Sequence, residues 1–507
     1  MADIPFYQPS PAEAKPIAIV DIGSNTVRLV VYESAMRTPF QLFNEGMHCG
    51  LGRALADNGD MPAHSIDQTL RVLKRFRAVC QRLGVDTIHV LATAAVRDAR
   101  NAAEFIKLAR DAIGADIQIL TGEREAELAL LAIRMGFAKP DGICGDMGGG
   151  SLELVNIGDA SNKAVTLPLG GLKLLSRSNG CLDKARSLIK DDLSNISWLK
   201  KGRGRSFYPI GGIWRALAAL HMDYNATPLP IIHGYRVECD DINAFCDLII
   251  KKDSSLKEFI ENTLTSERAE TLPYGALTLL ELIEKLSPKD ICFSAYGIRE
   301  GLLYSLLTPE QQSRDPLLAF SEDFARLRSR SYEYAIELCR WTDQIFEAVG
   351  IKETKTDCNL RHAACLLSDI EWPQRDNRGE MSLYAIAHAP VTGLDHSERI
   401  FLAMTVYHCH AGKGESRGND PLADLRNLID KQNLIRARQI AAAVRAANVL
   451  AVGMPGVICD VEISRINKAL VLRIPHRHAD LLGEKFERRL KTLKGKLKLK
   501  DTAVKIV

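Results

Sequence analysis

Between residues 17 and 33 apolar side chains alternate along the chain on either side of a short polar turn, AIVDIGSNTVRLVVYE, which predicts a β-hairpin with one buried face. Residues 66–83 then place apolar side chains three and four apart and predict a helix. IHVLATAAVRD reads as a strand entering a loop, AAEFIKLARDAIG as a helix, IQIL as a strand and EREAELALLAIRMGF as a second helix. Near residue 141 the opening pattern returns, because ICGDMGGGSLELVNIG is again a strand, an Asp, a turn of small residues and a strand. Residues 182–199 predict a helix, and in FYPIGGIWRALAALHM a short strand breaks at Gly211-Gly212 before another helix. Two mixed units in series predict a duplicated α/β domain. From about residue 315 to 450 helical spacing takes over, as in YEYAIELCRWTDQIFEAV and RARQIAAAVRAANVL. VGMPG interrupts it, and the remainder reads strand (VICDVEIS), strand (ALVLRIP), helix (HADLLGEKFERRLKTL), strand (TAVKIV).

The turns of the two hairpins carry the candidate chemistry. Gly23, Ser24, Asn25 and Thr26 in the first, and Gly148, Gly149, Gly150 and Ser151 in the second, are small enough for backbone N–H groups to close on a phosphate. Asp146 and Glu153 flank the second turn, so both carboxylates can face a cleft and hold a divalent cation directly or through water, with Asp21 as a third candidate. A repeated turn of this kind points to phosphates held between the two copies.

A chain of 507 residues is too long for one core and calls for several domains. No stretch is apolar for the length of a membrane span, and the N-terminal MADIPFYQPSPAEAKP has neither a basic start nor an apolar core, so a cytoplasmic protein is expected. The 12 cysteines include no C-x-x-C pair, which argues against a zinc knuckle or redox dithiol and for buried thiols. Net charge is +3, unevenly spread: residues 420–507 hold 18 Lys and Arg against 9 Asp and Glu, a local +9 that leaves −6 for the rest. That basic end suits a polyanion, or is a solvated helix face.

Six blocks in order, DIGSNTVRLVV, ATAAVRDARNAAEF, ILTGEREAELA, GDMGGGSLEL, LPLGGLKL and SAYGIREGLL, make the first ~310 residues similar to the exopolyphosphatase and guanosine pentaphosphate phosphohydrolase family, within the actin, sugar-kinase and Hsp70-like superfamily. The resemblance implies two ribonuclease-H-like (actin-like ATPase) domains flanking a cleft, residues 1–138 and 139–312. An all-α HD-like domain, 313–450, and a small basic α/β domain, 451–507, would follow. It also implies Mg2+ with stimulation by K+, a homodimer, and inorganic polyphosphate or guanosine pentaphosphate as substrate, with no membrane and no specific nucleic acid as partner.

Within these blocks, Arg97 would stand in a cleft loop, where a guanidinium fork suits a phosphoryl group. Glu125 matches the family's catalytic glutamate, although Arg124 and Glu127 depart from the usual pattern and leave Glu123 as a rival. Gly212 belongs to a glycine pair that resembles the adenosine contact of ATP-binding relatives. Lys173 stands where relatives often carry Arg. Ser368 occupies the place of a metal-binding histidine before Asp369, so the HD-type metal site is expected to be degenerate. His362, His388, His396, His408 and His410 read as ordinary helix or loop histidines. The expected activity is hydrolysis of terminal phosphoanhydrides of polyphosphate, with a guanosine pentaphosphate phosphatase, an ATP-dependent kinase or ATPase, and a polyphosphate sensor as alternatives.

Overall fold

The computed structural model describes residues 15–53, 55, 59–158, 163–374, 376–411, 424–467 and 469–507. Residues 1–14, on which the expectation about the N-terminus partly rests, lie outside that range. The chain divides into two compact units, Met1–Ser313 and Arg314–Val507. No helix among the described residues is long and apolar enough to cross a membrane.

The first unit is built on two sheets with one plan. In the first sheet β1 (Ile17–Ile22) and β2 (Thr26–Tyr32) form the predicted hairpin, β3 (Gln41–His48) extends it, and β4 (Thr87–Ala92) and β5 (Ile117–Ile119) add in parallel, giving the order β3-β2-β1-β4-β5. In the second sheet β6 (Gly142–Met147), β7 (Leu152–Ile157) and β8 (Ala164–Leu167) repeat the meander, and β9 (Ser206–Ile210) and β11 (Asp290–Cys292) repeat the parallel additions. The two-residue strand β10 (Arg236–Val237) is the one extra edge. The central strands are covered on both faces, as parallel strands between helices must be: β9, parallel to both of its neighbours, is buried at every position.

The helix Gly122–Gly136 joins the copies by burying two faces. Leu128 and Met135 enter the cluster on the first sheet with Ile19, Val30 and Leu91. Ala126, Ala129, Leu130 and Ile133 enter the cluster on the second with Cys144, Val155 and Ile210. Two apolar faces with a narrow polar edge, carried by Glu123, Glu127 and Arg134, make the helix a wedge, and its first turn is thereby held at the junction of the sheets. The helix Ile298–Ser305 crosses it at Gly301, where a Cβ would stand 1.9 Å from the Leu128 carbonyl oxygen.

The second unit opens with the helices Pro316–Arg328, Tyr332–Val349, Lys355–Leu366, Arg378–Ala387, His396–His410 and Lys431–Ala451. Trp341 is wholly buried among them and donates Nε1–H to the Ala443 carbonyl at 3.0 Å. Its sheet, β12 (Glu462–Ile466), β13 (Ala469–Ile474) and β14 (Asp501–Ile506), has an antiparallel first pair and a parallel second pair. The parallel pair requires a crossover, which the helix Glu484–Lys496 supplies. That helix starts later than the spacing predicts because Gly483 interrupts the pattern, leaving a 3-10 turn at His476–Leu481.

The crossing at Gly301 generates a prediction. Gly301→Ala forces the two helices apart against a backbone oxygen, and overpacking of this kind costs about 1–3 kcal/mol. A lowered melting temperature is expected, and catalysis should suffer as well because the displaced helix carries Glu125. Unchanged melting would show that the crossing is looser than the geometry indicates.

Candidate active site

Register aligns the two hairpin turns residue for residue. Asp21 faces Arg28 and Ile22 faces Val27 across the first; Asp146 faces Glu153 and Met147 faces Leu152 across the second. Each turn closes on the same backbone hydrogen bond, Gly23 N to Thr26 O at 3.1 Å and Gly148 N to Ser151 O at 3.0 Å. Opposed residues of an antiparallel pair share a face, so Asp146 and Glu153 point to the same side of the sheet.

The block LPLGGLKL buttresses the second turn. Backbone N–H groups of Gly171 and Leu172 donate to the carbonyls of Gly148 and Gly149 at 3.1 and 2.9 Å. Gly170 must lack a side chain, since a Cβ would stand 2.4 Å from the Gly150–Ser151 peptide. With its carbonyls engaged from behind, the turn keeps its small-residue edge toward the opposing loop, where Gly149 meets Ser24 and Gly150 meets Ala94.

Between the turns lies a cavity of about 140 Å3. It is lined by Asp21, Gly23 and Ser24 from the first copy, and by Asp146, Gly148, Gly149, Gly150, Ser151 and Glu153 from the second. Gly212 lines it at the start of the helix Gly212–Tyr224, whose first N–H groups offer an anion site. Glu125 enters from the wedge helix, where Thr121 caps the first turn by accepting from Arg124 N at 3.2 Å. The rival Glu123 is exposed and outside the cavity lining, whereas Glu125 is 6% exposed.

Three predicted residues stand elsewhere. Asn25 is turned back: its carbonyl accepts from Cys49 N and Gly50 N at 2.9 and 3.1 Å. Thr26 already belongs to β2 and lies beside His48, with Oγ1 and Nδ1 3.4 Å apart. Only the leading half of the four-residue turn therefore faces the cavity. Arg97 is absent from the lining as well. Its NH1 pairs with Glu125 and donates to the Leu120 carbonyl at 2.9 Å, and its Nε donates to Asp98 at 3.3 Å.

The cations that do line the cavity are Arg215 and Arg299. Arg215 comes one turn after Gly211-Gly212 and donates to the carbonyls of Gly211 and Ala295 at 3.3 and 3.4 Å. Arg299 comes from SAYGIREGLL, has NH1 3.4 Å from Asp21 Oδ2, and keeps a buried Nε without a partner. The signal for both was present, since each sits inside a matched block, but an Arg on a helix is usually solvated. Trp214, by contrast, points into the domain core, fully buried, with Nε1–H donated to Gly275 O at 3.0 Å.

Burial dominates the electrostatics. It pushes the Glu125 carboxyl up to about 7, with Arg97 opposing and Asp146 and Asp21 adding to the rise. Burial likewise lifts Asp146 to about 6 against the pull of Arg215. Asp21 is raised chiefly by burial, and Glu153 well above its ordinary value by burial and by the charges of Glu125 and Asp146. Burial lowers Arg215 to about 10. The site thus holds more negative charge than its arginines neutralise, and Glu153 Oε1 is buried without a hydrogen-bond partner. Such a donor set fits a divalent cation. The ligand atoms of Asp21, Asp146 and Glu153 do not close into a tight cage among the described residues.

At the expected HD position, Asp369 is held by Arg330 at 2.8 and 3.1 Å and by Arg378, and Ser368 Oγ donates to Cys365 O at 2.8 Å.

Residues 30–310 match the model of the Ppx/GppA phosphatase family, and residues 317–504 match a model described as exopolyphosphatase, C-terminal. Retrograde regulation protein 2 of Saccharomyces cerevisiae is 29% identical over 377 residues, 68% of this chain and 64% of its own length, so the chain spans just under two thirds of that relative. The guanosine-5'-triphosphate,3'-diphosphate pyrophosphatase of Pseudoalteromonas atlantica is 25% identical over 407 residues, 75% of this chain and 77% of its own. A crystal structure of an exopolyphosphatase from Cytophaga hutchinsonii, 21% identical, superposes with a TM-score of 0.50 over 58% of this chain and 97% of that one. It shares the two-domain actin-like fold.

The raised carboxylates make stability fall as pH rises. Asp146, lifted from 3.8 to about 6, binds its proton more tightly folded than unfolded. Its contribution is present in full below about pH 4 and lost as pH rises through about 6. Asp146→Asn removes this titration. The ligand-free variant should therefore be more stable than the parent by about 1–3 kcal/mol above pH 7, with the gap closing toward pH 4. Denaturant midpoints at the two pH values measure it; a gap independent of pH would mean the cost is not one of charge.

Proposed function

We propose, for a chain that belongs to the Ppx/GppA phosphatase family of the actin-like superfamily, that it hydrolyses the terminal phosphoanhydride of inorganic polyphosphate and releases orthophosphate. The observation that supports this most is the meeting of two turns of small residues, a helix N-terminus and two arginines around one buried, protonatable glutamate.

The terminal phosphoryl group would lie against the Gly148–Gly150 edge and the start of the helix at Gly212, with Ser24 and Ser151 as hydroxyl donors. Arg215 and Arg299 neutralise charge on its oxygens. Glu125, held near neutrality by burial, orients a water and takes its proton as the water oxygen bonds to phosphorus and the bridging P–O bond breaks. Arg97 acts as a positioning residue that fixes the carboxylate. Asp146 and Glu153, with Asp21, would hold Mg2+, which supplies further charge neutralisation when bound. The departing chain is a good leaving group and needs no proton, which agrees with a site lined by no histidine. An adjoining cavity of about 80 Å3, with Arg53 and Lys173 in its lining, shares Ser24, Gly149 and Gly150 with the first and offers room for further phosphates.

The local +9 of residues 420–507 favours a long anion over a nucleotide. The guanosine pentaphosphate reading draws on the likeness to the Pseudoalteromonas protein. Phosphate release from long polyphosphate and from guanosine pentaphosphate, compared as kcat/KM, decides between them. Polyphosphate should be preferred, and a preference for the nucleotide would reverse the assignment.

Glu125→Gln keeps the shape but removes the proton acceptor, and turnover should fall about 10²- to 10⁴-fold, with KM little changed. Glu123→Gln, on an exposed side chain, should be close to the parent. If Glu123→Gln abolishes release while Glu125→Gln spares it, the base has been misassigned.

A further inference from the structure

Outside the cleft, the second unit brings three metal-ligand side chains of different chemistry together. Asp343 lies on the helix Tyr332–Val349, and Cys358 and His362 lie on the helix Lys355–Leu366. The last two are four residues apart, so they share one face. His362 Nε2 is 2.8 Å from Asp343 Oδ1 and 3.8 Å from Cys358 Sγ, and all three ligand atoms lie within 4.8 Å of one another. Sequence reading gives His362 no such role.

We propose that Asp343, Cys358 and His362 form a Zn2+ site that ties these two helices together, with a fourth position open to water. Tetrahedral Zn2+ with bonds of about 2.0 Å to N and O and about 2.3 Å to S separates its N and O ligands by roughly 3.3 Å and its N and S ligands by roughly 3.5 Å. The distances here differ from those edges by about 0.5 Å or less, within the reach of small side-chain rotations. One thiolate, one imidazole and one carboxylate form a set that suits Zn2+ better than Mg2+ or Ca2+, which prefer oxygen alone. Each of the three is partly accessible, so metal and water can enter.

Arg361 is the competitor for Asp343, at 2.8 Å from Oδ1. It does not depend on that contact. Its NH2 donates to Glu353 at 2.6 Å and its NH1 to Thr342 Oγ1 at 2.8 Å, so it remains anchored when the Asp343 carboxylate, 44% exposed, turns to a metal. Zn2+ would then meet two anionic ligands and one neutral one, a matched charge. The loop between the helices, residues 350–354, would be closed at its base by the ion.

Co2+ in place of Zn2+ makes the site visible. The full chain, in excess Mg2+ to occupy the carboxylates of the cleft, should take up one Co2+ with the visible bands of tetrahedral coordination and a thiolate-to-metal charge-transfer band, all erased by Zn2+. Cys358→Ser should remove the charge-transfer band, and Asp343→Asn should weaken affinity by about 100-fold or more, since each ligand carries a share of the binding free energy. Zn2+ should raise the melting temperature of the parent and not of Cys358→Ser. If that variant fails to fold, His362→Gln, which keeps the thiol, serves the same purpose by losing tight uptake. A charge-transfer band that survives Cys358→Ser, coming from an exposed thiol such as Cys181 or Cys459, or the absence of tetrahedral bands at one equivalent, overturns the proposal. None of these readouts uses phosphate release, so the result is independent of the activity assigned to the cleft.

Discussion

Four carboxylates held out of water within one cavity set the terms for the rest of the first unit. Asp21, Glu125, Asp146 and Glu153 repel one another, and burial denies them the solvent that would screen the repulsion. A fold does not keep such a group for stability, because each raised carboxyl weakens the native state at neutral pH. The compensation comes from what the cavity would hold. A phosphate chain with its cation, as proposed above, would bring positive charge to the carboxylates and negative charge to Arg215 and Arg299. This is the pattern expected of an active site, where several groups are poised between protonation states by burial and neighbours.

The scaffold meets that constraint by duplication with one exchange. Both copies present an Asp at the end of a strand and a four-residue turn after it, but the residue opposite the Asp is Arg28 in the first and Glu153 in the second. One copy therefore sets a cation across the strands from its aspartate, and the other doubles its negative charge and leaves Glu153 Oε1 without a hydrogen-bond partner. The proposed cation-binding and anion-binding sides of the cavity would thus arise from the same local structure by this change of partner. The wedge helix Gly122–Gly136 adds the fifth part, Glu125, at the only height both sheets can share, and its two apolar faces leave it no freedom to move away.

Much of this was legible in the chain. Alternation exposed both hairpins, and the Asp-plus-small-residue turns pointed to the edges that line the cavity, because period and residue size are local properties. What failed was whatever depended on direction across space. Asn25 and Thr26 share the composition of their neighbours, yet the turn aims them at residues 48–50 rather than at the cavity. Arg97 is a cation beside the site by sequence, but Leu120, Asp98 and Glu125 engage it from behind. Arg215 and Arg299 look like ordinary helical arginines until the fold sets both in the cavity lining.

The helical unit shows the same limit from the other side. A sequence search for metal ligands goes to a fixed spacing, His before Asp, and finds Ser368 and Asp369; the carboxylate there is satisfied by Arg330 and Arg378. The clustered ligand set lies instead on two helices, with Asp343 separated from Cys358 and His362 by a helix end and a loop. No single-helix motif joins those residues, since their meeting is decided by how Tyr332–Val349 packs on Lys355–Leu366. Spacing within one helix is a property of the backbone and can be read from the chain. Spacing between helices is a property of the core that packs them, and it becomes readable only once that core is known.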